Sequence, residues 1–454
     1  ALPPLSAPRC VCVMGEEAAA YLPEVDVARP GQTLEEKMNL RSDGVRQYYL
    51  MHWLPTESGQ PGSALAKPKA AVVFVHGFGE HVGRYRNIFK MFPDRGYQVS
   101  GFDQRGYGRT WYENPDPDLT HGWTTWEEQM KDISLMIVLT RERLDERWGK
   151  DAVPIYLLGH SMGGGLTAGF FTRPPGKGPS EEVKALVSGA MLSSPWLDIH
   201  FPIPPRLGAV VMRMVLAVAP RIRLPLGPPS NDLSRDPKVC EAVRSDPLCD
   251  TYVYTRGLYD PLTEGPKVVT QGYKRWPKEL PIIIAHGTGD AVTKWSSSWE
   301  FYENLKGRGC DATFKSYDGY YHEAFHEPGD LKRDFANGYL AYVPRSLTSA
   351  GSMRRWRSVR RPQPRVHSRA IAPAGKKGAH FLISGEFRQV RRADRRCVRG
   401  PSRGARATGG PRPMACRGRK MHAGLRCLRM HATCRASPSS RRASRAMDLD
   451  TPLW

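Results

Sequence analysis

Short apolar, β-branched runs recur at intervals along the first 343 residues. QYYLMHWL (47–54), AAVVFVH (70–76), YQVSGFD (97–103), PIYLLGH (154–160), ALVSGAMLSS (185–194), PIIIAH (281–286) and TFKSYD (313–318) read as strands. Several are apolar throughout, which a strand tolerates only when both faces of its sheet are covered. Helical patterns fall between them. In Thr125–Trp148, Thr125 and Glu128 form a capping box, and Met130, Ile133, Ile137 and Leu144 recur on one face. This alternation predicts an α/β fold, a mostly parallel central sheet with helices on both faces. It lapses from about Pro195 to Pro277 and resumes at Leu280, so the intervening stretch is expected to be an inserted helical cap. Within it, LGAVVMRMVLAVA (207–219) is too short to span a bilayer and contains Arg213. That run reads either as an exposed apolar wall or as a core helix over the sheet. No internal repeat is present.

One strand end stands out. IYLLGHSMGGGLTAGFF (155–171) passes from a strand to a helix through Gly159-His160-Ser161-Met162-Gly163. Gly-x-Ser-x-Gly in this context is a nucleophile elbow: a tight turn exposes the hydroxyl at the edge of the sheet. A glycine-rich turn with a capping serine would look the same, so the partners decide. A serine hydroxyl needs a histidine to take its proton and a carboxylate to fix that histidine's tautomer. Asp290 follows PIIIAH and His322 follows TFKSYD, each on a loop after a later strand. Asp311 and Asp318 are alternative acids, but one begins a strand and the other crowds the histidine loop. His52, His121 and His200 lack such placement and read as packing or surface residues. Two backbone N–H groups are needed to stabilise the oxyanion. Met162 offers one, and Phe78, in VFVHGFGEH (73–81), is the candidate for the other. The 207–219 run, with Trp196 and Leu197 before it, is expected to supply the apolar wall of a substrate tunnel.

The formal charge of +22 suggests nucleic acid until its distribution is examined. From Arg345 onward there are 28 Lys+Arg against 4 Asp+Glu, so the preceding 344 residues are nearly neutral. The tail has no hydrophobic period and is expected to be disordered. It reads as a solvated basic appendage or as Arg/Ala/Gly/Pro/Ser-biased coding sequence out of frame, rather than as a basic arm for nucleic acid or anionic lipid. Met14 reads as the initiator, which leaves 1–13 as a non-native leader. The expected organisation is therefore 1–13, a domain over 14–346 with its cap at about 195–277, and a tail over 347–454. Nine cysteines without a C-x-x-C pair suit a reducing compartment, and no secretory pattern is evident. His422 and His431 among the tail cysteines lack zinc-ligand spacing. No metal or cofactor is expected.

HGFGEHVGRY, FDQRGYGRT, GHSMGGG, LSRDP…SDPL, HGTGD and YHEAFHEPGD, colinear over about Gly15–Val343, together resemble the monoglyceride lipases. These are serine-aminopeptidase-like (S33-like) members of the α/β-hydrolase superfamily, and the resemblance is to the fungal branch especially. The resemblance implies an α/β-hydrolase fold and cofactor-free hydrolysis of monoacylglycerols beneath a mobile cap. It also implies a cytoplasmic enzyme in peripheral contact with lipid droplets or endomembranes. By position, Ser161, Asp290 and His322 match the family's triad, Phe78 and Met162 its oxyanion donors, and Glu80 and Arg84 its glycerol-binding end. One departure is visible. The mammalian members have a second histidine three residues after the catalytic one; here that position is Phe325, with His326 one residue later. A lysophospholipase, carboxylesterase or peptidase on the same scaffold is the alternative reading, and nucleic-acid binding through the tail is a remote one.

Overall fold

Burial on both faces, required of the apolar strands by their composition, is what the structure shows. In β3 (Ala70–Val75), β5 (Ile155–His160), β6 (Val187–Ser193) and β9 (Ile282–Gly287) every residue is buried. Alternate residues supply two separate cores. Ala71, Val73 and Val75 face one, and Ala70, Val72 and Phe74 the other; Ile282 and Ile284 likewise oppose Ile283 and Ala285. The computed structural model describes residues 33–38, 47–59, 63–113, 121–200, 205–219, 223–224, 230–249 and 253–348. All lie in the first of the two units into which the chain divides, 1–380 and 381–454. The expectations for residues 1–13 and for the tail beyond 348 fall outside the described residues.

The sheet is completed by β1 (Thr33–Met38), β2 (Tyr48–Trp53), β4 (Tyr97–Phe102) and β10 (Ala312–Tyr317), in the order β1-β2-β4-β3-β5-β6-β9-β10. Only the β1–β2 and β2–β4 pairings are antiparallel; the remaining neighbours run parallel. The seven strands read from the sequence are all present. β1 was not foreseen, because TLEEKM is charged. It is an edge strand, and its Glu36 pairs with His52 at 2.8 Å and with Arg143 at 2.6 Å. Charge at a sheet edge also discourages pairing with other chains.

The helices are α1 (Gly108–Tyr112), α2 (Trp126–Trp148), α3 (Met162–Thr172), α4 (Glu181–Ala185), α5 (Pro205–Val218), α6 (Pro237–Ser245), α7 (Thr255–Thr270), α8 (Trp295–Gly307) and α9 (Leu331–Thr348). The capping box at Thr125 and Glu128 forms as expected. α2, α3, α7 and α8 contribute to one core, while α9 and the turns over 82–95 contribute to the other. Between β6 and β9 lies a helical insertion of α5, α6 and α7 with a two-stranded ribbon, β7 (Arg223–Leu224) and β8 (Val253–Tyr254). α7 packs against α5 and also against α3 and α8, which ties the insertion to the sheet. A largely apolar cavity of about 270 Å³ lies between α2 and the antiparallel strands, and Ser161, Asp290 and His322 are not among the residues that line it.

Candidate active site

The parallel strands β5, β9 and β10 end on the same side of the sheet, and each hands one polar side chain to the same point. Ser161 joins β5 to α3 with φ 54° and ψ −119°, a conformation that costs a non-glycine residue of order 1–3 kcal/mol. The turn is held at both ends: Ser161 N donates to Ser193 O (2.9 Å), and Trp196 N donates to Ser161 O (2.7 Å). The motif's glycines are a matter of space. A Cβ at Gly159 would collide with the Gly163 carbonyl, and one at Gly163 with the Val75 carbonyl.

His322 Nε2 lies 2.9 Å from Ser161 Oγ, and its Nδ1 lies 2.8 Å from Asp290 Oδ2. All three residues are buried. Asp290 is surrounded by donors. Its Oδ1 accepts from Val292 N (2.8 Å) and Thr293 N (2.9 Å), and its Oδ2 also accepts from Thr293 Oγ1 (2.8 Å). Burial alone would favour the neutral acid, but the charge on His322 and bonds from His286 and His322 hold its pKa well below the ordinary value. The opposite balance acts on His322. Burial pulls the imidazole down, but Asp290, with Glu323 and Glu80, outweighs it and leaves the pKa above its usual 6.5. Asp311 and Asp318 take no part: Asp318 accepts from Thr288 Oγ1 (3.0 Å) at the surface, and Asp311 is exposed.

A second imidazole shares the carboxylate. His286, at the end of β9, donates Nε2–H to Asp290 Oδ2 (2.9 Å) and accepts from Ser298 Oγ at Nδ1 (2.8 Å). Sequence reading passed over it because a histidine ending a buried strand looks like a packing residue. Its donor shares Oδ2 with His322 and helps to fix the carboxylate. His286→Leu is expected to lower kcat about tenfold with little change in KM, the effect of one lost hydrogen bond to a buried charge. His286→Gln, which keeps a donor, should recover most of the rate, and steady-state kinetics of the two variants checks this.

The loop after β3 is equally well tied. Gly77 passes so close to the elbow that a Cβ there would lie 3.1 Å from Ser161 Cβ. His76 Nδ1 donates to Gly77 O (2.8 Å), and its Nε2 accepts from Gln104 N (2.9 Å). That tautomer requires a neutral ring, and burial pushes the His76 pKa down to about 4. Gly77 N donates to Glu80 Oε1 (2.5 Å). Phe78 N–H follows directly and meets no acceptor among the described residues. Met162 N–H, at the first position of α3, has no intrahelical acceptor. Phe78 packs edge-on against Tyr107 (5.6 Å) and Trp196 (6.0 Å), which places the Trp196 ring beside the loop after β3.

Glu80 and Arg84 lie in a buried ion network. Arg84 bonds Glu80 Oε2 (2.8 Å) and forms a bidentate pair with Glu323 (2.6 and 2.5 Å). The network thereby links the Phe78 loop to the His322 loop. Phe325 packs in the core against Phe89, Phe335 and Tyr339. His326 lies beside Tyr85, with Nδ1 3.3 Å from Glu323, so the displaced histidine still borders this network.

Residues 66–329 match the family described as Hydrolase_4, serine aminopeptidase S33. A Schizosaccharomyces pombe protein assigned as a monoglyceride lipase is 31% identical over 279 residues, covering 61% of this chain and 68% of that protein. The human monoglyceride lipase is 27% identical over 333 residues, covering 71% and 94%. A crystal structure of a soluble variant of the Saccharomyces cerevisiae monoglyceride lipase with a substrate analog aligns with a TM-score of 0.57. It is 22% identical and covers 72% of this chain and 98% of that one, a likeness of fold. The chain belongs to the serine aminopeptidase S33 family of the α/β-hydrolase superfamily, in which monoglyceride lipases are among its relatives.

Proposed function

We propose that this protein hydrolyses monoacylglycerols to glycerol and free fatty acid through a Ser161 acyl-enzyme. The hydrogen-bonded chain Ser161–His322–Asp290 carries the reading, and the monoglyceride lipases among its relatives support the substrate. Ser161 Oγ attacks the ester carbonyl while His322 Nε2 takes its proton. The oxyanion forms against the N–H groups of Phe78 and Met162. Collapse expels the glycerol oxygen, which receives that proton from His322. Water then attacks the acyl-serine, again deprotonated by His322, and the proton returns to Ser161 as the fatty acid leaves. Asp290 stays ionised and holds Nδ1–H throughout. Glu80 and Arg84 provide the polar end for the glycerol hydroxyls, and Trp196 with Phe78 walls the acyl side.

The base must be neutral to act, and its pKa lies above 6.5. Activity is therefore expected to be lost as pH falls, with the acid limb of kcat/KM centred above pH 6.5. A limb centred below that value would contradict the Asp290–His322 coupling.

The cap helix gives a surface for lipid. Along α5, Val210, Met214 and Val218 are 55%, 57% and 86% exposed at helical spacing, with Val211 beside them, while Met212 faces the core. No described helix is long and apolar enough to cross a membrane. A solvent-facing apolar stripe on a helix suits shallow adsorption to a lipid surface, which supports peripheral action at lipid droplets or endomembranes within the cytoplasm. The free thiols of Cys240, Cys249 and Cys310 suit that reducing setting. Met214→Asp is expected to weaken vesicle binding severalfold while sparing the rate on a water-soluble short ester. Sedimentation with vesicles and an esterase assay measure the two effects.

The substrate assignment is tested on a panel of monoolein, diolein, triolein, lysophosphatidylcholine and short esters. Monoolein should give the highest kcat/KM, since extra chains would press against the charged end. Faster turnover of triolein or lysophosphatidylcholine would reject it.

A further inference from the structure

Beside the active site, three metal-binding side chains from distant parts of the chain converge. His81, in the loop after β3, places Nε2 2.8 Å from Asp246 Oδ2. Cys249 brings its sulfur to the same point, and the ring nitrogen, carboxylate oxygen and Sγ all lie within 4.8 Å of one another. The local sequence builds half of this arrangement. In Asp246-Pro247-Leu248-Cys249, Cys249 N donates to Asp246 O (3.0 Å), and Leu248 N donates to Asp246 Oδ1 (2.9 Å). The turn folds the thiol back over the carboxylate, and with Oδ1 committed to the turn, Oδ2 points at His81. The Asp246 side chain remains 27% exposed, so the group is open to ions from solvent.

Charge and donor type both select a cation. Asp246, Glu80 and Glu323 supply three carboxylates against one guanidinium, Arg84, which Glu80 and Glu323 already hold. One imidazole nitrogen, one sulfur and one carboxylate oxygen form a borderline-soft set that suits zinc and not magnesium or calcium. Zinc bond lengths of about 2.0–2.3 Å put tetrahedral donors roughly 3.3–3.6 Å apart. The His81–Asp246 pair would open by about half an ångström to accept the ion.

We propose that His81, Asp246 and Cys249 form a zinc site, with water in the fourth position, that ties the cap to the loop bearing Phe78 and Glu80. Binding exchanges the His81–Asp246 hydrogen bond for two metal bonds. The ring proton of His81 moves to Nδ1, the Cys249 thiol releases its proton to solvent, and the thiolate becomes the third ligand. The pairing of Asp246 with Cys249 is local, but only the tertiary fold brings in His81, so no sequence spacing announces the site.

The test uses the full-length chain, stripped with a chelator and titrated with zinc and, as a spectroscopic probe, with cobalt(II). The tail also contains Cys397, Cys416, Cys427 and Cys434, so the comparison is between the parent and its variants. The parent should show a cobalt–thiolate charge-transfer band and a zinc-induced rise in melting temperature. Cys249→Ser, nearly isosteric, should lose both the band and the rise. Asp246→Asn, which keeps the thiol, should bind zinc about tenfold or more weakly. Melting without metal checks that each variant is folded. Zinc affinity and cobalt band unchanged in both variants, or no zinc uptake by the parent, would overturn the proposal.

Discussion

Ser161→Ala is expected to lower the rate of ester hydrolysis by a factor on the order of 10⁴–10⁶ while the protein keeps its fold. Among the described residues the hydroxyl makes one hydrogen bond to a side chain, with His322 Nε2 at 2.9 Å. Everything that shapes the turn belongs to the main chain: the Ser193 and Trp196 bonds and the close passage of Gly159 and Gly163. Removing one oxygen therefore takes away the nucleophile without disturbing what surrounds it. Alanine also tolerates the positive φ no worse than serine does. A fluorophosphonate probe should label the parent and leave the variant unlabelled, with circular dichroism and melting temperature nearly unchanged. Labelling that survives the substitution would assign the nucleophile to another residue.

Asp290→Asn should cost about 10⁴ in kcat with a much smaller change in KM. The carboxylate oxygens accept from two main-chain N–H groups, from Thr293 and His286, and from His322. An asparagine that keeps its carbonyl on Val292 and Thr293 must turn its NH₂ toward His322. The imidazole then presents Nδ1 as acceptor and carries its proton on Nε2, where it cannot take the proton of Ser161. The same NH₂ confronts the His286 donor, so the buried amide is also poorly satisfied. Fluorophosphonate labelling should slow in parallel. A loss of less than about tenfold would mean that another carboxylate serves the histidine.

How much of this was legible in the sequence depended on whether each signal was local. Ser161, Asp290 and His322 could be read because each follows a run of strand-forming residues. In a parallel sheet those ends meet on one side, so type and position together constrain the chemistry. β1 escaped because its pairing draws on Glu35 and Glu36 finding Tyr49, His52 and Arg143, contacts that no periodicity records. The cap run 207–219 was ambiguous for a related reason. An apolar helix does not say which of its faces meets the protein, and only the packing puts Met212 inward and Val210, Met214 and Val218 outward. Glu80 and Arg84 were noticed, but their partner Glu323 lies 239 positions from Arg84. That they join the Phe78 loop to the His322 loop therefore appears only in three dimensions.

The central claim, that monoacylglycerol turnover passes through an acyl group on Ser161, is open to one direct measurement. Monoolein and p-nitrophenyl oleate are each hydrolysed in water containing methanol, and the ratio of methyl oleate to free oleic acid is determined. Both substrates deliver the same oleoyl-enzyme once the glycerol or the phenol has left, so the ratio at a given methanol concentration should be the same for both. Ratios that differ between the two leaving groups, or oleate formed from monoolein without any methyl ester while p-nitrophenyl oleate yields it, would contradict the account.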